Sequence, residues 1–253
     1  MHKRWAMLVL IALLAPWMTL GAAERQGAPV SPLAKLPDSW FLQHVGSNRV
    51  VVDGHTLDLR VQYLLSRYSK ADKKKPGAPT VATAQGRATI RQLAAREWLL
   101  TTRVAPAVAS VKDYEVPGRG GAIHVRVYRP RTAGKLPIIV YFHGGGWFFG
   151  SVAASDRSNQ LLAADARIIV VAVDYRLAPE FPYPAAWNDA QDAYAWVAKE
   201  AARLGGSQED ICVGGDSAGA DLSIAVTRRR QAAEETAPVC QLLYYPAPDD
   251  RPV

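Results

Sequence analysis

From about residue 110 onward the chain alternates short apolar runs with amphipathic stretches. The runs 137–142, 168–173, 211–215 and 239–245 read as buried strands, and 154–166, 187–204 and 217–230 carry helical spacing. Strands over 111–116 and 122–128, joined by Pro117-Gly118-Arg119-Gly120-Gly121, predict an antiparallel hairpin. Apolar strands alternating with helices predict an α/β fold, a mostly parallel sheet with helices on both faces. Before residue 110 the texture is irregular and helix-prone, with no repeated strand signal. Leu57, Val61, Leu64 and Leu65 predict a helix over 57–68, and Ile90, Leu93, Ala94, Trp98 and Leu99 one over 88–101. Residues 71–79 between them form a polar, lysine-rich linker.

The first 23 residues change the picture of where the protein goes. His2, Lys3 and Arg4 precede an apolar stretch broken by Pro16, and Gly21-Ala22-Ala23 supplies small residues at a cleavage point. That order is a secretory leader, and its removal predicts an exported, periplasmic or secreted protein. The stretch is short and interrupted for a stable membrane span, with an uncleaved anchor as the alternative. Composition adds little: 49% hydrophobic and 21% charged residues are ordinary for a globular protein. The formal net charge of +7 includes Lys3 and Arg4 of the leader. Lys70, Lys73, Lys74 and Lys75 read as solvated loop residues, and Arg228, Arg229 and Arg230 as complements to a helix C-terminus. With no aromatic interleaving, no nucleic-acid partner is predicted. Cys212 and Cys240 both fall in predicted buried strands, where a bridge between adjacent parallel strands needs unusual geometry. They are expected to be free, small apolar residues.

Candidate chemistry centres on Gly215-Asp216-Ser217-Ala218-Gly219, between the apolar run Ile211-Cys212-Val213 and a helix. A G-x-S-x-G turn in strand–turn–helix context is a nucleophile elbow, which holds its serine in a strained conformation with the hydroxyl presented for attack. A second motif, His143-Gly144-Gly145-Gly146-Trp147, follows the strand ending at Phe142. Successive glycines leave backbone N–H groups open to a small anion, and each donor aimed at a developing oxyanion lowers the barrier by about 3 kcal/mol. The pairing of the two motifs is far more specific than either alone.

With both motifs in place, the chain resembles the hormone-sensitive-lipase-like branch of the α/β-hydrolases, bacterial carboxylesterases with an HGGGW loop and a GDSAG elbow. Matching stretches include Val125-Arg126-Val127-Tyr128-Arg129-Pro130 and Asp174-Tyr175-Arg176-Leu177-Ala178-Pro179-Glu180. The resemblance implies Ser217 as nucleophile, the N–H groups of Gly145, Gly146 and Ala218 as oxyanion hole, and His143 as the residue orienting that loop. It implies a helical cap segment over 24–109, a hydrolase core over 110–253, and small, relatively hydrophobic esters as substrates, with no metal or organic cofactor. Ala220-Asp221 stands where the group often has Gly-Asn. Trp147 and Phe148 are candidates for lining the acyl pocket, with plain core packing as the alternative. His44, His55 and His124 are expected at the surface or in packing roles, and Asp216, Tyr175, Arg176 and Glu180 in the scaffold.

In this fold the triad runs serine, acid, histidine along the chain. No histidine follows Ser217 in the 253 residues, and Asp249 and Asp250 come earlier than the acid the resemblance implies. The core is therefore expected to be incomplete at its C-terminus and the serine poorly activated. Two functions follow: a carboxylic-ester hydrolase acting through an acyl-serine, and a non-catalytic relative that binds an acyl ligand or a partner.

Overall fold

The computed structural model describes residues 32–52, 54–71 and 79–247; the leader over 1–23 and most of the predicted linker lie outside them. The chain divides into two compact units, 1–104 and 105–253.

In the first unit a 3-10 turn (Pro32–Lys35) precedes α1 (Asp38–Val45), α2 (Leu59–Ala71) and α3 (Ala84–Thr101). Among its described residues, Phe41, Leu59, Leu64 and Trp98 are the buried large apolar ones. The Thr83 hydroxyl caps α3 by accepting from the Gly86 N–H at 3.1 Å. The sequence signalled the last two helices. It did not signal α1, or the ladder of β1 (Val51–Val52) against β2 (His55–Thr56), because two-residue strands show no periodicity. Among the described residues no helix is long and apolar enough to cross a membrane.

The second unit is built on a six-stranded sheet. Strands β3 (Ser110–Gly118) and β4 (Gly121–Arg129) form the expected hairpin, closed by Gly118 opposite Gly121. With β5 (Leu136–Phe142), β6 (Ile169–Asp174), β7 (Gly206–Asp216) and β8 (Gln241–Tyr244), the order is β3-β4-β6-β5-β7-β8. The pairs among β6, β5, β7 and β8 are parallel, and β4 runs antiparallel to both its neighbours. Alternate side chains sort to opposite faces, as strand geometry requires. Ile138, Val140, Phe142, Val171, Val173 and Val213 pack under α5 (Ala185–Glu200) and α6 (Ala218–Ala232), through Ala190, Ala193, Val197, Leu222 and Val226. Ile139, Tyr141, Val170 and Ala172 pack on the other face with Ala163 of α4 (Asp156–Ala166). Strand β7 begins five residues before the predicted 211, across a register shift between Leu136 and Ile138. Its polar start, Gly206-Ser207-Gln208-Glu209-Asp210, carries no apolar signal.

One expectation is overturned. Cys212 and Cys240 are joined by a disulfide, with Cα atoms 4.7 Å apart. Cys240 lies before β8 rather than inside it and is exposed, so the bridge spans adjacent chain segments where the strand pairing is just starting. Closing 28 residues should stabilise the fold by about 3–4 kcal/mol on the chain-entropy estimate. A Cys212→Ser/Cys240→Ser protein is expected to unfold at lower urea by that amount; an unchanged midpoint would show that the bridge contributes nothing.

Candidate active site

Strands β5 and β7 are parallel neighbours with Phe142 opposite Gly215. The glycine loop after β5 and the turn after β7 therefore leave the sheet side by side, at the carboxyl edge where α/β folds bind ligands. Their contact is tight. A Cβ on Gly219 would lie 1.9 Å from the Phe142 carbonyl oxygen and 2.7 Å from that of His143, so only glycine lets α6 start against the end of β5.

Ser217 sits at φ 50°, ψ −121°, a left-handed conformation that a non-glycine residue holds at a cost of about 1–3 kcal/mol. Its surroundings enforce that conformation. The Ser217 N–H donates to the Tyr244 carbonyl at 2.9 Å, and its own carbonyl accepts from Ala220 and Asp221 at 2.9 and 3.1 Å, opening α6. The residue is only 3% exposed. Its hydroxyl has no hydrogen-bond partner among the described residues, and its oxygen is not among the polar atoms sealed from solvent.

The loop bends through Gly145 at φ 122° and Gly146 at φ 59°, closed by the Phe148 and Phe149 N–H groups donating to the Gly145 carbonyl at 3.0 and 3.1 Å. The N–H groups of Gly145, Gly146 and Ala218 have no acceptor among the described residues. Gly145 and Ala218 are buried and Gly146 is half-buried, and buried amide donors without partners are rare in folded proteins. His143 donates from Nδ1 to the Gly144 carbonyl at 2.8 Å and stacks on Tyr175 at 4.3 Å. The Tyr175 hydroxyl donates to the His143 carbonyl at 2.6 Å. Burial pushes the His143 pKa down, so the ring is neutral and its Nε2 is enclosed without a partner. Trp147 stacks on Trp187 at 5.1 Å, and Phe148 meets Phe149 edge-on at 6.4 Å.

Beneath the elbow lies a polar group that the sequence did not reveal. Asp216 is 4% exposed and accepts from the Tyr141 hydroxyl at 3.1 Å. Burial pushes its pKa up to about 6; donors at Tyr141, Gly144 and Tyr245 pull the other way, although Asp216 Oδ2 and the Tyr245 hydroxyl fall short of full hydrogen-bond geometry. The folded protein therefore holds more protons than the unfolded chain between about pH 4 and 6. Stability from this group is fully present below pH 4 and lost as pH rises through 6. Asp216→Asn, which cannot ionise, is expected to flatten the dependence of Tm on pH between 4 and 7. The difference amounts to about 3 kcal/mol across that range. Parallel Tm–pH curves for the two proteins would sink the assignment.

Other predicted residues take scaffold positions. Asp189, 1% exposed, pairs with the Arg176 guanidinium at 2.8 Å. Asp174 accepts from the Val152 N–H at 2.6 Å and faces His124 at 3.0 Å, while His124 also meets Asp113 at 3.2 Å. His44 stacks on Trp40 and His55 is exposed on β2. Among the described residues no group of histidine, cysteine, aspartate or glutamate could hold a metal ion.

Comparison with known proteins agrees with this architecture. A family profile for the alpha/beta hydrolase fold matches residues 139–253. The carboxylic ester hydrolase LipN of Mycobacterium tuberculosis is 36% identical over 237 residues, covering 90% of this chain and 60% of the relative. An ethyl acetate hydrolase of Pseudomonas putida is 37% identical over 146 residues, covering 55% of this chain and 45% of the relative. Among solved structures, an esterase of Pyrobaculum calidifontis superimposes with a TM-score of 0.60 at 41% identity, over 64% of this chain and 53% of that one. The chain thus spans 60% or less of these relatives' length. Sheet order, elbow and matched sequence agree: the chain has the α/β-hydrolase fold and is similar to carboxylic ester hydrolases built on it.

Proposed function

We propose that the protein hydrolyses carboxylic esters through an acyl-serine. Ser217 Oγ attacks the ester carbonyl carbon, and the oxygen that gains charge is received by the N–H groups of Gly145, Gly146 and Ala218. The ester C–O bond breaks and the alcohol leaves with a proton, giving the acyl-serine; water then adds to its carbonyl, releasing the acid and restoring the serine hydroxyl. The observation that carries this reading is the set of three acceptor-free amides on two loops in backbone contact at the serine. His143 acts by fixing the loop, since its Nδ1 proton is committed to the Gly144 carbonyl. Trp147 and Phe148 line the acyl side.

Attack needs a base for the Ser217 proton. His143 and His124 are engaged elsewhere, and no histidine follows Ser217 in these 253 residues. A polypeptide of these residues alone is therefore expected to turn over esters weakly, with the roughly 10³-fold advantage over water that an oxyanion hole supplies. The competing reading is a non-catalytic acyl-ligand binder. Small hydrophobic esters are the proposed substrates, supported by the relative named ethyl acetate hydrolase. Export is supported by the leader-like first 23 residues and by the Cys212–Cys240 disulfide, since such bonds persist in oxidising compartments.

A fluorophosphonate probe tests the mechanism. Labelling mapped to Ser217 by mass spectrometry, together with p-nitrophenyl butyrate hydrolysis, supports the esterase. Folded protein that takes up no label supports the binder.

A further inference from the structure

We infer that the Cys212–Cys240 disulfide is a positioning clamp for the nucleophile, acting on the Ser217 backbone through β8. The inference rests on the reading of Ser217 as nucleophile, and its physical chain is continuous. Cys212 lies in β7 five residues before Ser217, and the hydrogen bonds flanking the bridge set the strand register. The Val239 N–H donates to the Ile211 carbonyl at 2.9 Å, and the Val213 N–H to the Cys240 carbonyl at 3.1 Å. From there β8 runs four residues beside β7, pairing Val213 with Gln241 and Asp216 with Tyr244. It ends by giving the Tyr244 carbonyl to the Ser217 N–H.

Ser217 needs such support. Its left-handed backbone relaxes unless neighbours over-determine it. Among the partners that do so, the Tyr244 carbonyl is the one supplied by another strand. Strand β8 is short, and none of its four residues is buried: Gln241 and Tyr244 are exposed, and Leu242 and Leu243 are half-buried. Burial alone therefore holds β8 weakly. It is pinned at its start by the disulfide and just past its end by the Ala247 N–H donating to Asp221 Oδ1 at 2.8 Å. A shift of β8 would also move Tyr245, whose hydroxyl lowers the pKa of the buried Asp216. Cys240 is exposed, so a small dithiol can reach the bond. The dithiol gives up two electrons and two protons and closes its own disulfide, while Cys212 and Cys240 become thiols.

The test uses the full-length protein in two forms, the Cys212→Ala/Cys240→Ala variant and wild type reduced with dithiothreitol, both held well below their unfolding midpoints. Amide hydrogen exchange at Ser217 is expected to speed up at least about tenfold more than the amides of β5 and β6, which accelerate only by the lost global stability. The saturating rate of fluorophosphonate labelling should fall by about 10- to 100-fold, as misplacement of a reacting group predicts, with little change in probe affinity. Re-oxidation of the reduced wild type should restore both. Unchanged exchange at Ser217, or faster exchange with unchanged labelling, overturns the clamp. An acceleration at Ser217 no greater than that in β5 and β6 also overturns it, because the bridge would then be only a staple for the whole fold. Wild type that takes no label at Ser217 defeats the nucleophile reading, and the exchange measurement still decides the clamp.

Discussion

Ser217→Ala is expected to abolish fluorophosphonate labelling and leave stability nearly unchanged, whereas Ser217→Gly abolishes labelling and makes the protein more stable. The two variants remove the same hydroxyl, so any difference between them reads the backbone. Alanine keeps the Cβ, and with it the cost of φ 50°. Glycine relieves about 1–3 kcal/mol of that cost and returns about 0.5–1 kcal/mol as greater freedom of the unfolded chain. The net expectation is about 1 kcal/mol of stabilisation, measurable as a higher Tm. Where a complete triad serves the serine, loss of the hydroxyl lowers kcat on the order of 10⁶-fold. In these 253 residues alone, the weak turnover credited to the oxyanion donors should survive the substitution largely intact. A Ser217→Ala protein that still takes the label would remove Ser217 from the chemistry; a Ser217→Gly protein less stable than Ser217→Ala would remove the strain.

What the sequence disclosed and what it hid divide by distance along the chain. The buried strands β5 and β6 read directly, because each packs on both faces and is apolar over its central residues. The hairpin read from its glycines, and the elbow and the glycine loop from residues within a five-residue window. The contacts it hid around the site join distant segments. Tyr141 meets Asp216 across 75 residues, and Arg119 pairs with Asp192 on α5 across 73. Nothing local marks a tyrosine as the partner of a buried carboxylate. The disulfide failed for a related reason: the apolar run over 239–245 suggested a strand enclosing Cys240, but pairing with β7 begins only at Gln241. That left Cys240 at the exposed margin, where two parallel segments come within bridging distance.

Gly219→Ala is expected to be the most damaging single-methyl change in the protein. The added carbon would meet the Phe142 carbonyl oxygen at 1.9 Å and its carbon at 2.6 Å, both backbone atoms of a strand paired on each side by β6 and β7. Such atoms cannot swing away as a side chain would. Relief has to come from lifting α6 off the sheet, which uncovers Leu222 and Val226, both fully buried. A loss of about 4 kcal/mol or more is expected, in the range reserved for overpacked cores, along with loss of labelling as the elbow parts from the glycine loop. Gly146→Ala supplies the contrast. No atom lies within 4 Å of its added carbon, and the cost is confined to its φ of 59°, about 1 kcal/mol for a single left-handed residue. Urea unfolding of the two variants beside wild type separates steric closeness from backbone preference. Equal losses would mean that the contact between elbow and glycine loop is looser than the 1.9 Å approach requires, and the shared site would lose its main support.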